Sequence, residues 1–261
     1  MAAEVGTRRL EPAAIAGVMS REVANFRTYW RGTAFSSILE PIVYLLAFGL
    51  GLGATLVKGV DGLSYVEFVA TGMVATAVIF SSALPAMFGT FVKERFQNTY
   101  DAVLAAPVDV EELVTAEILW IGIRAGFFGC FPLIIGIAFG LDPQWGMLLV
   151  PIFAFVTALG WAAFGVSIAA SVAKIDQFNY VTTLVITPLF LVAGTFFPID
   201  QLPEGLQVAA NFNPLYQLVE LVRGAAFGFE TVDILRFASL VVFSLALWRI
   251  AVSRMTKRLI D

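Results

Sequence analysis

The side chains that could do chemistry are few in this chain, and their types exclude most reactions. There is no histidine, and the single cysteine, Cys130, lies in an apolar stretch. Ser-His and Cys-His catalysis, histidine metal sites and a disulfide within one chain are therefore excluded. No Gly-Lys dipeptide occurs, so the phosphate-binding loop G-x-x-x-x-G-K-[ST] is missing. We expect no catalytic residue, no metal site and no cofactor on this chain.

Three ionisable residues stand in or beside apolar stretches: Glu40, Glu117 and Arg124. Such residues are costly in a membrane and often functional. Glu117 and Arg124 share one helix face but lie about 10 Å apart along the helix axis. We therefore expect each to find its partner on another helix, either for structural pairing or for moving a gate or a substrate. Glu40 precedes Pro41, a position that disfavours helix, so we predict a hinge there.

These residues must be positioned by a fold whose solvent is a lipid bilayer. The 261 residues are 59% hydrophobic and 14% charged, against ~45–50% and ~25% in soluble domains. Six apolar segments approach the ~20 residues that cross a bilayer, and they must be helical to satisfy their backbone groups. We predict an all-α polytopic membrane protein, with an N-terminal segment 1–34 and a domain 35–261 of six transmembrane helices, at 35–57, 68–92, 113–141, 147–172, 180–197 and 234–252.

Lysine and arginine are distributed unequally between the two sides of this arrangement. Twelve fall in the N-terminal segment, the C-terminal end and the loops that follow the second and fourth segments, whereas three fall on the other side. Cytoplasmic loops carry the excess of positive charge. We therefore expect both termini in the cytoplasm, and the stretch between the fifth and sixth segments on the outer face.

A helical repeat of apolar residues precedes the first predicted span. Within residues 13–31, the charged side chains fall largely on another face of the helix from the apolar ones, which are Ile15, Val18, Met19, Val23, Phe26 and Trp30. This pattern predicts an amphipathic helix in the cytoplasmic interface, with its arginines toward lipid phosphates. It could serve as a membrane anchor, as a docking surface for a cytoplasmic partner, or as both.

The loop 93–107 connects the second and third predicted spans on the predicted cytoplasmic side. Pro107 should end a short helix, and Asp109, with Glu112 three residues on, should cap the next one. The short helix is either a solvated connector or a coupling helix that fits into another protein. In the second case exposed Phe96 and Tyr100 would act as aromatic anchors within a polar rim. The candidate coupling residues are Glu94, Arg95, Phe96, Tyr100 and Asp101.

The stretch GTFFPIDQLPEGLQVAANFNPLYQLVELVRG, at 194–224, is too polar for a span and too apolar for a loop in water. Pro198 should end the fifth span, and Pro203 should begin a short helix. Pro214 should open a second helix, capped by Asn213. Two short helices joined by a turn predict a re-entrant hairpin over 198–229, whose backbone would be tolerated only inside protein or beside a cavity. The alternative is a hairpin that lies flat on the outer leaflet.

Several motifs, in this order, resemble the type-2 branch of ABC exporter permeases, the membrane subunits of O-antigen, capsule and multidrug exporters. They are LEPIVYLLAFGLGLG at 39–53, RFQNTYDAVLAAPV at 95–108, AEILW at 116–120 and the stretch at 194–224. Within that branch the chain resembles the permease of nodulation-factor export, a lipo-oligosaccharide transporter. The resemblance covers nearly the whole chain, and its second and fourth motifs are the specific ones.

This resemblance implies a half-transporter in the cytoplasmic (inner) membrane of a prokaryote. It would pair with a second permease copy, as a homodimer or a related heterodimer, and with two copies of a separate ABC ATPase that holds ATP and Mg²⁺. Membrane lipids are expected partners and nucleic acid is not. The re-entrant pair would cap the exit of the pathway with Phe196, Phe197, Pro198, Pro203, Pro214, Tyr216, Glu220 and Arg223, the last two of which can pair locally.

Two other functions stay open at this point. A secondary transporter or channel that works alone is disfavoured by the few buried carboxylates and by the lack of a visible internal repeat. A membrane enzyme is disfavoured by the missing histidine. Within the exporter interpretation the substrate is undecided between a lipid-linked oligosaccharide, another lipid and a hydrophobic drug. The pattern Gly49-x-x-x-Gly53 would allow close helix packing and is a weak indication of a dimer contact.

Overall fold

The computed structural model describes residues 10–52 and 62–260. Its long elements are helices, in agreement with the predicted all-α fold. In chain order they are α1 (Pro12–Tyr44), continued by π-helical turns over Leu45–Leu52, α2 (Tyr65–Arg95), α3 (Thr99–Leu104), α4 (Val110–Phe128), α5 (Phe131–Ala138), α6 (Val150–Ala169), α7 (Gln177–Val181), α8 (Thr187–Leu191), α9 (Glu204–Asn211), α10 (Pro214–Phe227) and α11 (Val232–Ile260).

Four helical stretches in the described residues are long and apolar enough to cross a membrane. They are Tyr65–Arg95, Val110–Ala138, Trp145–Ala169 and Val232–Ile260, which correspond to the second, third, fourth and sixth predicted spans. The first predicted span begins within α1 and continues into residues 53–61, which lie outside the described residues. Gly53 of the glycine pattern lies outside them too. The fifth, predicted at 180–197, overlaps the run from α7 through Thr182–Ile186 to α8 only over residues 180–191, and this run, about 22 Å long at 1.5 Å per residue, is not one of the four.

Helix α6 lies at the centre of the bundle and packs against α2, α4 and α11. Its buried side chains are mostly small, such as Ala154, Ala158 and Ala162, which lets neighbouring backbones approach closely. Gly165 shows how closely: a Cβ there would lie 2.5 Å from the Ala86 Cβ and 2.6 Å from the Ala83 carbonyl oxygen. The core therefore depends on close approach of helix backbones, which larger side chains at these positions would prevent.

The first helix differs from the sequence prediction in two ways. The predicted hinge at Glu40 is wrong, because α1 continues without a break through Pro41 and changes to π-helical turns only at Leu45. Such local adjustment is one way in which a helix tolerates an internal proline. The amphipathic segment 13–31 is also the first part of this same helix, and Val18 on its apolar face is buried in a core with Leu113 and Val114.

The long third predicted segment is two helices rather than one. Helix α4 ends at Phe128, and α5 begins at Phe131 with Pro132 in its first turn. Proline has no N–H and its ring collides with the preceding turn, so the helix restarts there instead of continuing. The gap at Gly129 is tight, since a Cβ on Gly129 would lie 2.6 Å from the Val78 side chain.

Candidate functional site

An ionic network joins four helices at one end of the bundle. Lys93 Nζ lies 2.9 Å from Glu22 Oε1 and 2.9 Å from Glu117 Oε1. The Tyr100 hydroxyl donates a hydrogen bond to the other oxygen of Glu117. We call these four residues, Glu22 of α1, Lys93 of α2, Tyr100 of α3 and Glu117 of α4, the Lys93 centre. It holds together helices that are far apart in the sequence.

The residues of the Lys93 centre are almost completely buried. Glu22 is 5% exposed, Glu117 is 2% exposed and Tyr100 is 1% exposed. Buried carboxylates need a cation and hydrogen bonds to offset the loss of water, and Lys93 supplies the cation to both, while Arg21 also approaches Glu22 at 3.6 Å. Burial, and then the nearby Glu117 carboxylate, raise the pKa of Tyr100 well above its usual range. The phenol therefore stays protonated and remains a donor to Glu117.

The candidate coupling residues divide into two groups. Phe96 is 67% exposed, and Arg95 and Asp101 are exposed beside it. Tyr100 is buried, so its predicted role as a surface anchor is wrong. Asn98 has a left-handed backbone conformation with φ 49° and turns the chain before α3. After this turn the Tyr100 side chain lies inside the bundle. Glu94 is likewise drawn inward, where its carboxylate pairs with Arg258 at 2.8 Å.

Arg258 ties the C-terminal end of α11 to this same end of the bundle. Besides Glu94, its Nη1 donates to the carbonyl oxygens of Ala170 at 2.9 Å and of Val172 at 2.8 Å, where α6 ends. A cation is favourable there because carbonyl groups at a helix C-terminus have no partners within the helix. The ends of α2, α6 and α11 and the first part of α1 thus meet on one side.

A second ionic cluster lies at the opposite end. Glu220 pairs with Arg223 at 3.3 Å, as the sequence predicts, and also with Arg236 at 3.0 Å. Arg236 in turn lies 2.7 Å from Asp233. We call Glu220, Arg223, Asp233 and Arg236 the Glu220 cluster. The Arg223 guanidinium stacks 3.9 Å from the Phe68 ring centroid, and Phe68 and Lys93 on α2 are about 37 Å apart along the helix, so the two clusters lie at opposite ends of α2.

The two helices of the predicted hairpin begin where the sequence predicts. Helix α9 follows Pro203, and α10 begins at Pro214. Asn213 Oδ1 accepts a hydrogen bond from the Leu215 backbone N–H at 3.0 Å, which caps α10. The same side chain donates from Nδ2 to the Leu189 carbonyl at 2.7 Å, and this fixes the hairpin to the end of α8. The buried face of α10 packs against α2, α6 and α11, whereas Phe212 beyond α9 is 83% exposed.

The remaining candidate lid residues surround this hairpin. The Phe196 ring lies 5.2 Å from Phe48 and 6.0 Å from Tyr44, and the Tyr65 hydroxyl donates to its carbonyl oxygen at 3.2 Å. Phe196 therefore joins the hairpin entry to the far end of α1. Phe197 and Tyr216 are half-buried, and Pro198 is buried.

A cavity of about 540 Å³ lies between α1, α2 and α4, and Tyr29, Ser36 and Glu40 on its α1 side are exposed. Its lining is rich in hydroxyl groups and includes two of the three predicted intramembrane charges, Glu40 and Arg124. We call it the central cavity; it is lined by Tyr29, Gly32, Thr33, Ser36, Ser37, Glu40, Pro41, Met73, Thr76, Ala77, Phe80, Ser81, Pro85, Arg124 and Phe128. Its volume falls in the range of small-molecule sites, ~300–1,000 Å³.

Glu117 and Arg124 find partners on other helices, as expected, but in different surroundings. Glu117 belongs to the Lys93 centre, whereas Arg124 Nη1 donates to the Tyr29 hydroxyl at 3.4 Å and Nη2 to the Ser81 carbonyl at 3.5 Å. A cavity of about 230 Å³ next to the Lys93 centre shares Tyr29, Pro85 and Arg124 with the central cavity. Polar side chains therefore line a continuous seam from the Lys93 centre to Arg124.

Sequence reasoning assigns no pairing role to five of the charged residues at the two ends of the bundle: Glu22, Lys93, Asp233, Arg236 and Arg258. Lys93, Arg236 and Arg258 enter the sequence analysis only through the charge count that assigns orientation. Asp233 and Arg236 are three residues apart at the start of α11, and that spacing was a usable signal. Among the described residues, no group of histidine, cysteine, aspartate and glutamate side chains could hold a metal ion.

Comparison with known proteins gives one consistent result. The ABC-2 type transporter family matches residues 14–227. Nodulation protein J of Rhizobium leguminosarum bv. trifolii is 35% identical over 78% of this chain and 79% of its own length. Nodulation protein J of Rhizobium meliloti (strain 1021) is 30% identical over 88% and 89%, respectively. The inner membrane transport permease YadH of Escherichia coli (strain K12) is 24% identical over 91% and 92%.

Proposed function

The chain belongs to the ABC-2 type transporter family and is a membrane permease of that kind, and from this premise we propose that it exports an amphiphilic substrate. The substrate would be a lipid-linked oligosaccharide, another lipid or a hydrophobic drug, moved outward across the cytoplasmic membrane. The observation that carries this proposal is the family match over 14–227, in a chain whose sequence lacks the phosphate-binding loop that an ATPase needs. ATP and Mg²⁺ would be bound by the partner.

Membership of this family implies an ABC ATPase as partner, and we propose two copies of it, bound to a pair of permeases. Exposed apolar side chains support a second permease copy, or lipid, beside α1 and the α7–α8 run. Phe35 is 67% exposed, Val43 is 54% exposed and Leu184 is 71% exposed. A homodimer would bring the same faces of two chains together.

We propose that the ATPase contacts the exposed side chains of Arg95, Phe96 and Asp101 around α3. Aromatic anchors with a polar rim are typical of small interfaces. The Lys93 centre supports the coupling role, because Tyr100 connects α3 through Glu117 and Lys93 to α4, α2 and α1. A movement of α3 would therefore be passed to three helices at once.

The six-span topology is part of the same proposal. The Lys93 centre would lie at the cytoplasmic surface, with both termini on that side, because the excess of lysine and arginine is there. The α9–α10 hairpin would dip into the outer half of the membrane and cover the exit. Burial of α10 against α2, α6 and α11 supports this over a hairpin lying flat on the outer leaflet.

Reconstitution with the ATPase that co-purifies with the chain tests this function. We expect export of a labelled lipo-oligosaccharide into inverted vesicles in the presence of ATP. It should stop when the catalytic glutamate of the ATPase is replaced by glutamine. A stand-alone secondary transporter would instead continue without ATP in response to an ion gradient, and that result would contradict the proposal.

A further inference from the structure

Arg124 is a cation without a matching anion in the part of the chain that the structure describes. It lies in the interior of α4, about 21 Å along the helix from Val110. Its guanidinium has five N–H donors, and its hydrogen bonds are the two long ones to the Tyr29 hydroxyl and the Ser81 carbonyl. Arg223, Arg236 and Arg258, by contrast, each pair with a carboxylate.

Electrostatics favours an anion beside this guanidinium. A positive charge in the membrane interior is stabilised by a partner charge or by water. The planar fork of arginine fits the two oxygens of a phosphate or carboxylate better than it fits a single carbonyl. The geometry around Arg124 therefore has room and donors for an oxyanion that the described residues do not supply.

The central cavity offers further polar groups to such a ligand. Thr76 is 4% exposed, and among the described residues its hydroxyl oxygen has no hydrogen-bond partner. Buried polar groups are rarely left in this state. Ser36 and Thr33, on the facing helix α1, also line the cavity. Hydroxyl groups of this kind can bind the polar part of a ligand next to its charge.

An apolar pocket adjoins the other side of Arg124. This pocket, of about 320 Å³ between α1 and α4, is lined by two arginines, Arg27 and Arg124, and otherwise by apolar side chains, which are Phe26, Trp30, Trp120, Ile123, Phe127 and Phe128. Trp30 is 47% exposed and Phe127 is 63% exposed, so the pocket opens sideways, toward what would be lipid. Arg124 thus lies between a cavity that contains several hydroxyl groups and a pocket that is almost entirely apolar.

We propose that Arg124 binds the phosphate or carboxylate group of a membrane amphiphile. The polar part of this ligand would occupy the central cavity, and its hydrocarbon chain would lie in the apolar pocket. The inference rests on the proposed export function and narrows its substrate to the anionic amphiphiles. Glu40 lies about 16 Å beyond Tyr29 along α1, so its carboxylate disfavours an anion at the far end of the cavity and leaves the Arg124 end for the charged group.

Binding to the full-length permease alone tests this site. We would release the protein from dodecyl maltoside micelles in a native mass spectrometer and titrate it with dodecyl phosphate. We expect saturable binding of one dodecyl phosphate per chain. Dodecyltrimethylammonium, which has the same chain and the opposite charge, should not bind at the same concentrations, and neither should inorganic phosphate. Equal binding of the anionic and cationic amphiphiles would overturn the proposal, and inorganic phosphate binding as tightly as dodecyl phosphate would overturn a membrane source.

Variants then locate the charge. Arg124→Gln should weaken dodecyl phosphate binding about 10- to 100-fold, the loss of a charge-assisted hydrogen bond, whereas Arg124→Lys should retain part of it. Arg249→Gln, which removes an exposed arginine from α11, is the matched control and should change nothing. Unchanged binding in Arg124→Gln would also overturn the site. If that variant does not fold, Arg124→Lys still tests the site, because it keeps the charge and removes the planar fork, and unchanged binding in it would contradict recognition by the guanidinium.

The binding assay does not depend on the ATPase, so the two proposals can fail separately. ATP-driven export by a chain that shows no preference for dodecyl phosphate would remove the anion site and keep the function. Charge-selective binding that is lost in Arg124→Gln would establish the site even if export proved independent of ATP.

Discussion

The two ionic clusters at opposite ends of α2 are built in different ways. The Lys93 centre takes one residue from each of four helices, and Glu22 and Glu117 come from distant parts of the chain. The Glu220 cluster lies within residues 220–236 of two consecutive helices. The side chains of Glu22 and Glu117 are 6% and 3% exposed, and that of Asp233 is 6% exposed, whereas those of Glu220 and Arg236 are 21% and 19% exposed. One cluster sets the relative positions of helices, and the other fixes one hairpin to the next helix.

This difference predicts unequal costs for removing the central cation of each cluster. Lys93→Ala leaves the buried Glu117 carboxylate without its cation and leaves Glu22 with the more distant Arg21 alone. Loss of one partner of a buried pair costs about 3–5 kcal/mol. We expect the largest fall in unfolding temperature of the purified permease in detergent from this variant. Lys174→Ala, an exposed lysine at the same end, is the control. Equal, small shifts for both would mean that the Lys93 centre contributes little.

A second test separates the coupling role of the Lys93 centre from its structural role. Tyr100→Phe keeps the buried ring and removes the hydrogen bond to Glu117, a loss of about 1–3 kcal/mol for a bond to a charged group. We expect ATP hydrolysis by the complex to continue while export falls. Normal coupling in Tyr100→Phe would contradict transmission through this network.

Phe96→Ala, at an exposed position, should change stability by no more than ~0.5 kcal/mol but weaken binding of the ATPase.

Arg236→Ala probes the other end of the comparison. Glu220 is partly exposed and keeps Arg223 as a partner in this variant, and buried Asp233 keeps the hydrogen bond that it accepts from the Glu230 N–H. We therefore expect a loss of about 1–2 kcal/mol, less than for Lys93→Ala. The effect on local opening of the hairpin should be greater than the effect on the stability of the whole protein. Hydrogen exchange should increase in 204–227 and remain unchanged around the Lys93 centre. Faster exchange at both ends would show that the two clusters are not independent.

The smallest effect is expected from labelling, which tests on which side each end lies. Gln201 and Lys174 are both exposed, so single cysteines there, in a Cys130→Ser background, should leave stability unchanged. A membrane-impermeant maleimide added to intact cells should modify Gln201→Cys, and it should modify Lys174→Cys only after the membrane is opened. Labelling in the reverse order would overturn the assigned orientation.

The same contrast explains how much could be predicted from the sequence. The hairpin is bounded by Pro198, Pro203 and Pro214, and the effect of a proline on the backbone depends on its neighbours alone. Its boundaries and the Glu220–Arg223 pair were therefore predictable. The partners of Glu117 depend on how α1, α2 and α3 are placed around α4, and no local spacing contains that information.

Two wrong predictions have the same origin. Tyr100 was placed at the surface because its sequence neighbours are polar, but the left-handed turn at Asn98 directs it inward. Pro41 was expected to open a hinge from its local preference, whereas neighbouring helices and the π-helical turns that follow allow α1 to continue. Packing outweighed local preference at both positions.

The unbroken course of α1 has a mechanical consequence. The helix is held at Glu22 by the Lys93 centre and reaches Phe196, beside the hairpin, through Tyr44. The distance from Glu22 to Tyr44 is about 33 Å along the axis. A stiff rod of that length works as a lever: turning it about Glu22 by roughly 10° displaces its far end by about 6 Å. A small rotation of α1, driven from the end that we propose contacts the ATPase, would then displace its other end by several ångströms beneath the hairpin.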